Sequence, residues 1–232
     1  MNKLQENLGL AKPPIAVGFF DEAPAGVARW NEGAVPAGCA FWRAAADGHT
    51  FYTVPSDHYN CAVGAYVHNV TLPADRGSAL GDTITFMTVN GYLQSEEIPL
   101  IPALPKKPQF VAYGPVDEVP FRRDVVVVAA KPAAAMLIYE AAVRCGATSM
   151  KMSALGRPGC AVLPMSLQSG LTALSFGCKG NRTFTGLPDE EIYLSVPGAK
   201  WDSVVEALQT VEAANQTMGT HYRRHAEDVR GK

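Results

Sequence analysis

The run "RRDVVVVAAKP" (122–132) constrains this chain more than any other stretch. Four consecutive valines flanked by charge and proline describe a buried strand, because β-branched side chains fit a pleated, covered surface. The next residues, "PAAAMLIYEAAVRCG" (132–146), carry proline at the start and glycine at the end, the asymmetry of a helix. A buried strand running into an apolar helix points to an α/β (or α+β) fold. At 232 residues the chain has room for one large domain or two small ones, with a sizeable core.

Other segments extend the pattern. "PPIAVGFF" (13–20) and "TFYTV" (50–54) read as strands, and "CAFWRAAADG" (39–48) reads as a short helix stopped by Gly48. From Asp75 to Leu93, apolar residues Leu80, Ile84, Met87 and Tyr92 keep helical spacing. "LTALSFG" (171–177) and "EEIYLSVPG" (190–198) read as strands. "KWDSVVEALQTVEAANQTM" (200–218) is an amphipathic helix with Trp201, Val204, Val205, Leu208 and Val211 on one stripe.

The two halves echo each other. "RAAADG", a strand and "NCAVGAY" in the first are matched by "YEAAVRCG", "TSMKM" and "GCAVLPM" in the second. The expectation is therefore two related, interlocked α/β halves of the kind internal duplication produces, with Cys61 and Cys160 at equivalent positions facing a shared cleft. The boundaries are 1–97 for the first half, with Cys39 and Cys61, and 98–121 for a proline-rich connector. The second half is 122–218, with Cys160 and Cys178, and 219–232 is a charged, frayed tail.

Composition narrows the function. A formal charge of −2 argues against a nucleic-acid binder, and no apolar run is long enough to span a membrane. The first residues lack a signal-type apolar stretch, which predicts a soluble, cytoplasmic protein. Five cysteines, Cys39, Cys61, Cys145, Cys160 and Cys178, are then not expected to form lasting disulfides.

Four of the five lie beside glycine or a polar turn, in "PAGC", "DHYNC", "GRPGC" and "SFGCKGNR". Cys39, Cys61 and Cys160 each precede a helical start, where thiolate is favoured, and Arg157, Lys179 and Arg182 add positive charge nearby. Cys145 ends an apolar helix and is read as packing. Four thiolates suit an iron–sulfur cluster or tetrahedral zinc, although close Cys-x-x-Cys pairs are absent. The competing reading is scattered buried thiols that behave as small hydrophobes.

The blocks "FWRAAADG…DHYNCAVGAYVHN…LP", "GRPGCAVLP" and "LSFGCKGNRTFTGLPDEEIYLSVPG" resemble an uncharacterised prokaryotic family, domain of unknown function 169. The most specific block runs from Gly177 to Arg182. The resemblance implies that Cys39, Cys61, Cys160 and Cys178 are the family's cysteine positions and that Cys145 is not. It implies no activity.

Secondary candidates surround the cysteines. Asp57 and His58, just before Cys61, are read as proton donor or thiolate partner, against a capping Asp and a hydrogen-bonded loop histidine. His68 is read as a satisfied surface histidine. Lys179, Asn181 and Arg182 would bind an anion, or Arg182 would pair with Asp189, Glu190 or Glu191. Glycine-rich nucleotide loops, a haem motif and a nucleophile elbow are missing. The expected function is a [4Fe–4S] cluster held by four cysteines, with His58 and Arg182 as catalytic groups and Arg157, Lys179 and Asn181 as binding groups. It would serve Lewis-acid chemistry on a small anionic substrate or redox work with a partner protein; a homodimer fits the composition. The alternative is a zinc-stabilised or metal-free small-molecule binding module.

Overall fold

Alternation along the valine run decides the architecture. Val125 and Val127 belong to one apolar cluster, and Val126 and Val128 belong to another. Successive side chains of a strand point to opposite faces, so the sheet carries a core on each side and is covered twice. The computed structural model describes residues 3–150 and 154–230; the last two residues of the "TSMKM" block, 151 and 152, lie outside them.

The chain runs through α1 (Lys3–Leu8), β1 (Ile15–Phe20), β2 (Ala28–Arg29), α2 (Ala40–Ala46) and β3 (Phe51–Thr53). It continues with α3 (Ala62–Val67), α4 (Ala79–Val89), β4 (Phe110–Pro115), β5 (Val125–Ala130) and α5 (Pro132–Arg144). Then follow β6 (Ala154–Leu155), α6 (Val162–Ser169), β7 (Ala173–Ser175), α7 (Lys179–Thr185), β8 (Ile192–Pro197) and α8 (Trp201–Arg230).

The eight strands form one mixed sheet in the order β2-β3-β4-β1-β5-β8-β7-β6. β1 and β5 pair antiparallel at the centre, with Ala16 opposite Val126. Outward from each, the pairing repeats: antiparallel to β4 or β8, antiparallel to β3 or β7, then parallel to β2 or β6. The two flanks thus share one connectivity about the central pair. That arrangement does not by itself show duplication.

One face is packed by Phe41 and Trp42 of α2 and Val162 and Leu163 of α6, with Val67 of α3. The other face is packed by Ile138 and Ala142 of α5 and by Trp201, Val204, Leu208 and Val211 of α8. Among the described residues, no helix is long and apolar enough to cross a membrane.

Two segments depart from expectation. β4 lies within 98–121, the stretch read as a connector, and it pairs with β1 along six residues. Its only proline, Pro115, sits at the strand's end, where loss of an N–H costs least. The tail read as frayed is helical to Arg230, as the end of α8.

Candidate functional site

Each of the four grouped cysteines sits where a helix begins. Cys39 immediately precedes α2. Cys61 caps α3, its Sγ accepting the Gly64 N–H at 3.3 Å. Cys178 caps α7 in the same way, accepting the Asn181 N–H at 3.4 Å. Cys160 lies in the single turn Gly159–Ala161 that leads into α6. All four line one cavity of about 580 Å³.

The topology corrects the expected pairing. Cys39 enters the helix before β3, and Cys160 enters the helix before β7. Cys61 caps the helix after β3, and Cys178 caps the helix after β7. Equivalent positions are therefore Cys39 with Cys160 and Cys61 with Cys178. "CAV" is a local likeness of helix starts. The telling repeat is Gly-Cys-Ala, at 38–40 and again at 159–161.

Both glycines of that repeat are closely confined. A Cβ on Gly38 would stand 2.5 Å from His58 Nδ1, and one on Gly159 would stand 3.0 Å from the Cys178 backbone nitrogen.

The electrostatics reverse the sequence expectation of stabilised thiolates. Burial, followed by repulsion from Cys178 and Cys61, pushes Cys39 up to about 12. Burial raises Cys61, against the Gly64 N–H that favours its thiolate. Cys160 is driven well above the ordinary thiol range by burial, then by Cys39, Cys61 and Cys178. Short helices and scattered cations do not offset the loss of water. Buried thiols such as Cys39, Cys61 and Cys160 ionise together only around a positive centre.

Among the described residues, no three His, Cys, Asp or Glu side chains stand close enough to hold a metal ion. The four sulfurs surround a space and do not converge on a point.

The walls of that space come from several elements. Ile84, Phe86 and Met87 of α4 cover it, although α4 buries none of its residues fully. Arg157 lies on the cavity wall, donates to Glu97 at 3.0 and 3.1 Å, and stacks over Tyr92 at 5.2 Å. The Tyr92 hydroxyl accepts the Lys179 N–H at 3.1 Å. These contacts tie the α4 segment to the opposite flank. Asn181 faces Cys39 closely enough to favour its thiolate, but beyond hydrogen-bond range: its amide N and O are both buried without a partner. Lys179 also lines the cavity, and no hydrogen bond or ion pair of its ammonium is formed within the described residues.

Two expected catalytic groups lie elsewhere. Arg182 donates to the carbonyls of Phe176, Pro188 and Glu191 and stands 4.0 Å from Asp189. Its guanidinium holds the 176–191 loop and does not line the cavity. His58 sits behind Gly38, fully buried, with Nε2 at 2.9 Å from Thr53 Oγ1. Thr53 gives its proton to the Val111 carbonyl, so Nε2 is the donor and Nδ1 is a bare lone pair.

His68, expected at the surface, is 1% exposed, because α3 packs against α4 and against the turns Pro55–His58 and Gly159–Ala161. Its Nδ1 donates to the Gly64 carbonyl at 2.8 Å, and its ring lies 5.0 Å from that of His58. Burial holds both histidines below the ordinary range, His58 strongly, with repulsion from His68 adding to it. Cys145 ends α5 against the other face, 3.6 Å from the Ala142 carbonyl, as expected of a packing thiol.

Sequence reasoning passed over Tyr113. It is fully buried on β4, its hydroxyl has no partner, and burial followed by Cys160 and Cys39 raises its pKa. The signal was weak, since "FVAYGP" lies among prolines.

A three-layer α/β/α protein with a four-thiol cavity between its flanks is the class that fold and site define. The chain belongs to DUF169, the uncharacterised ArCR family, which it matches over residues 3–207. No curated protein and no solved structure matches it.

Proposed function

We propose that the cavity houses an iron–sulfur cluster of the [4Fe–4S] type, with Cys39, Cys61, Cys160 and Cys178 as its ligands. The observation that carries this reading is the single cavity lined by all four thiols, two contributed by each flank of the sheet. Soft thiolate donors suit iron–sulfur clusters. A lone zinc, with bonds of about 2.3 Å, would draw its four sulfurs to about 3.8 Å from one another. The open spacing of these thiols favours a polynuclear group over that alternative.

When bound, such a cluster supplies one-electron transfer, and four protein ligands leave no iron open for substrate. A redox role is therefore favoured over Lewis-acid chemistry. The chain's own residues line the site, cover it with α4, and place the buried, unpaired Asn181 amide on its wall. Arg157 and Lys179 on the wall give a small anion a place to rest beside the cluster. Free thiols in a reducing cytoplasm agree with this reading.

A second reading rests on one feature. Ile84, Phe86, Met87, Leu93, Ile101 and Phe184 make much of the wall apolar, and about 580 Å³ lies within the ~300–1,000 Å³ of small-molecule sites. A metal-free binding module would use that wall.

Anaerobic purification followed by iron, zinc and acid-labile sulfide analysis separates the readings. The expected result is about four irons and four sulfides per chain. Protein free of iron and sulfide after anaerobic reconstitution, with all four thiols open to alkylation, overturns the cluster.

A further inference from the structure

The buried stripe of α8 does not stop where the body of the protein stops. Trp201, Val204, Leu208 and Val211 pack on the sheet, and the same alternating spacing of three and four continues through Asn215, Met218, Tyr222, His225 and Val229. Such spacing sustained over four heptads is the seam of a coiled coil. Asn215 is the last residue tied to the body, donating to Glu140 at 2.7 Å. Every residue from 220 to 230 is exposed. Met218, Tyr222 and Val229 are 43%, 61% and 57% exposed. The arm gains no tertiary packing of its own beyond the body, and a partner along its seam would supply it.

We infer that the partner is a second copy of this chain, whose α8 arm packs antiparallel against the first over residues 218–229. One register satisfies the whole exposed seam: Met218 meets Val229 of the other copy, and Tyr222 meets His225, each pair occurring twice about the two-fold. The overlap is about 17 Å at the helical rise of 1.5 Å per residue. It brings each tip up to the level of Met218, just beyond the residue that ends the partner's body. Gly219 and Ala226 fall on one flank of the seam and let the helices approach closely. On the other flank His221 lies opposite Asp228 of the second copy, an imidazole against a carboxylate, twice. The segment 218–229 is also charge-balanced, with Glu227 and Asp228 against Arg223 and Arg224. Self-matching layers and reciprocal charge favour a second copy over a foreign helix.

Sedimentation velocity on the full chain tests this. The chain of 24.7 kDa is expected to sediment as a dimer at micromolar concentration. The double variant Met218→Asp/Tyr222→Asp should be monomeric, with the unfolding midpoint of its body unchanged. Asp228→Lys should weaken the dimer at least tenfold, and adding His221→Glu should restore it, because the antiparallel register alone brings positions 221 and 228 together. A full chain that stays monomeric at tens of micromolar overturns the inference. So does a dimer that survives the double aspartate variant, or a charge reversal that the second substitution does not rescue.

Discussion

The two faces of the central sheet are built from the same strands and obey different rules. On the α5–α8 face, Ala16, Val126, Val128, Leu194 and Val196 meet Ile138, Ala142 and Trp201. This is a plain apolar core, and the thiol that touches it, Cys145, is near a helix carbonyl. On the cysteine face, Tyr113 Oη, His58 Nδ1, His68 Nε2, Trp42 Nε1 and both amide atoms of Asn181 are buried without partners. Each such group costs about 1–3 kcal/mol if it stays unpaired. A fold that gathers these atoms on one side of a sheet, against Glu212 Oε1 of α8 on the other, concentrates its unmet polar chemistry where a bound group can answer it.

The sharpest way to break that contrast is to remove one thiol from each face. Cys160→Ser or Cys39→Ser should abolish iron and sulfide retention and lower the thermal midpoint, because site formation and folding are coupled. Cys145→Ser should leave metal content per folded chain unchanged. Equal loss in all three, measured by metal analysis on monodisperse protein, would end the distinction.

Next in size, Ile138→Ala on the α5–α8 face should cost about 2–5 kcal/mol in urea unfolding, as expected of a fully buried aliphatic side chain. It should change only stability.

Smaller is Gly38→Ala, expected to cost about 1–3 kcal/mol because its methyl group meets the enclosed His58 ring. Combining it with His58→Ala should recover part of that loss. A purely additive double-mutant cycle would mean that the two residues do not touch.

Smallest is the effect of acid. His58 and His68 are held neutral below their ordinary range, so the unfolded chain binds protons that the folded chain refuses. Stability is then fully present above about pH 6.5 and falls as pH drops below it, by about 1 kcal/mol per histidine near pH 6. Urea midpoints at pH 7.5 and pH 6.0 measure this, and His58→Asn should flatten the slope.

How much of this the sequence made legible depends on whether the signal is local. The valine run, the Pro132-to-Gly146 helix and the stripe of α8 are written in spacing, and they form as read. Cys39, Cys61, Cys160 and Cys178 line one cavity, and their common place beside glycine or a polar turn at a helix start already set them apart from Cys145 in its apolar helix. What was hidden is pairing across distance. The prolines around "FVAYGP" concealed that its neighbours are β1 and β3, because strand partnership is set by the sheet and not by the segment. Arg182 looked like an anion fork because its motif shows charge but not the three carbonyls that occupy it. His68 looked exposed because α3 is short and the α4 segment over it lies well along the chain.

The cavity draws its thiols from both flanks of one sheet, and this sets an order of events during synthesis. Cys39 and Cys61 leave the ribosome more than a hundred residues ahead of Cys178. At about 5–20 residues per second, they wait several seconds or longer before the last wall of their cage exists. For that interval the first two thiols are ordinary, reactive and unshielded on a nascent chain. The proposed cluster would therefore be acquired only after translation has passed Cys178, and newly made protein would be the first to lose it under oxidative stress.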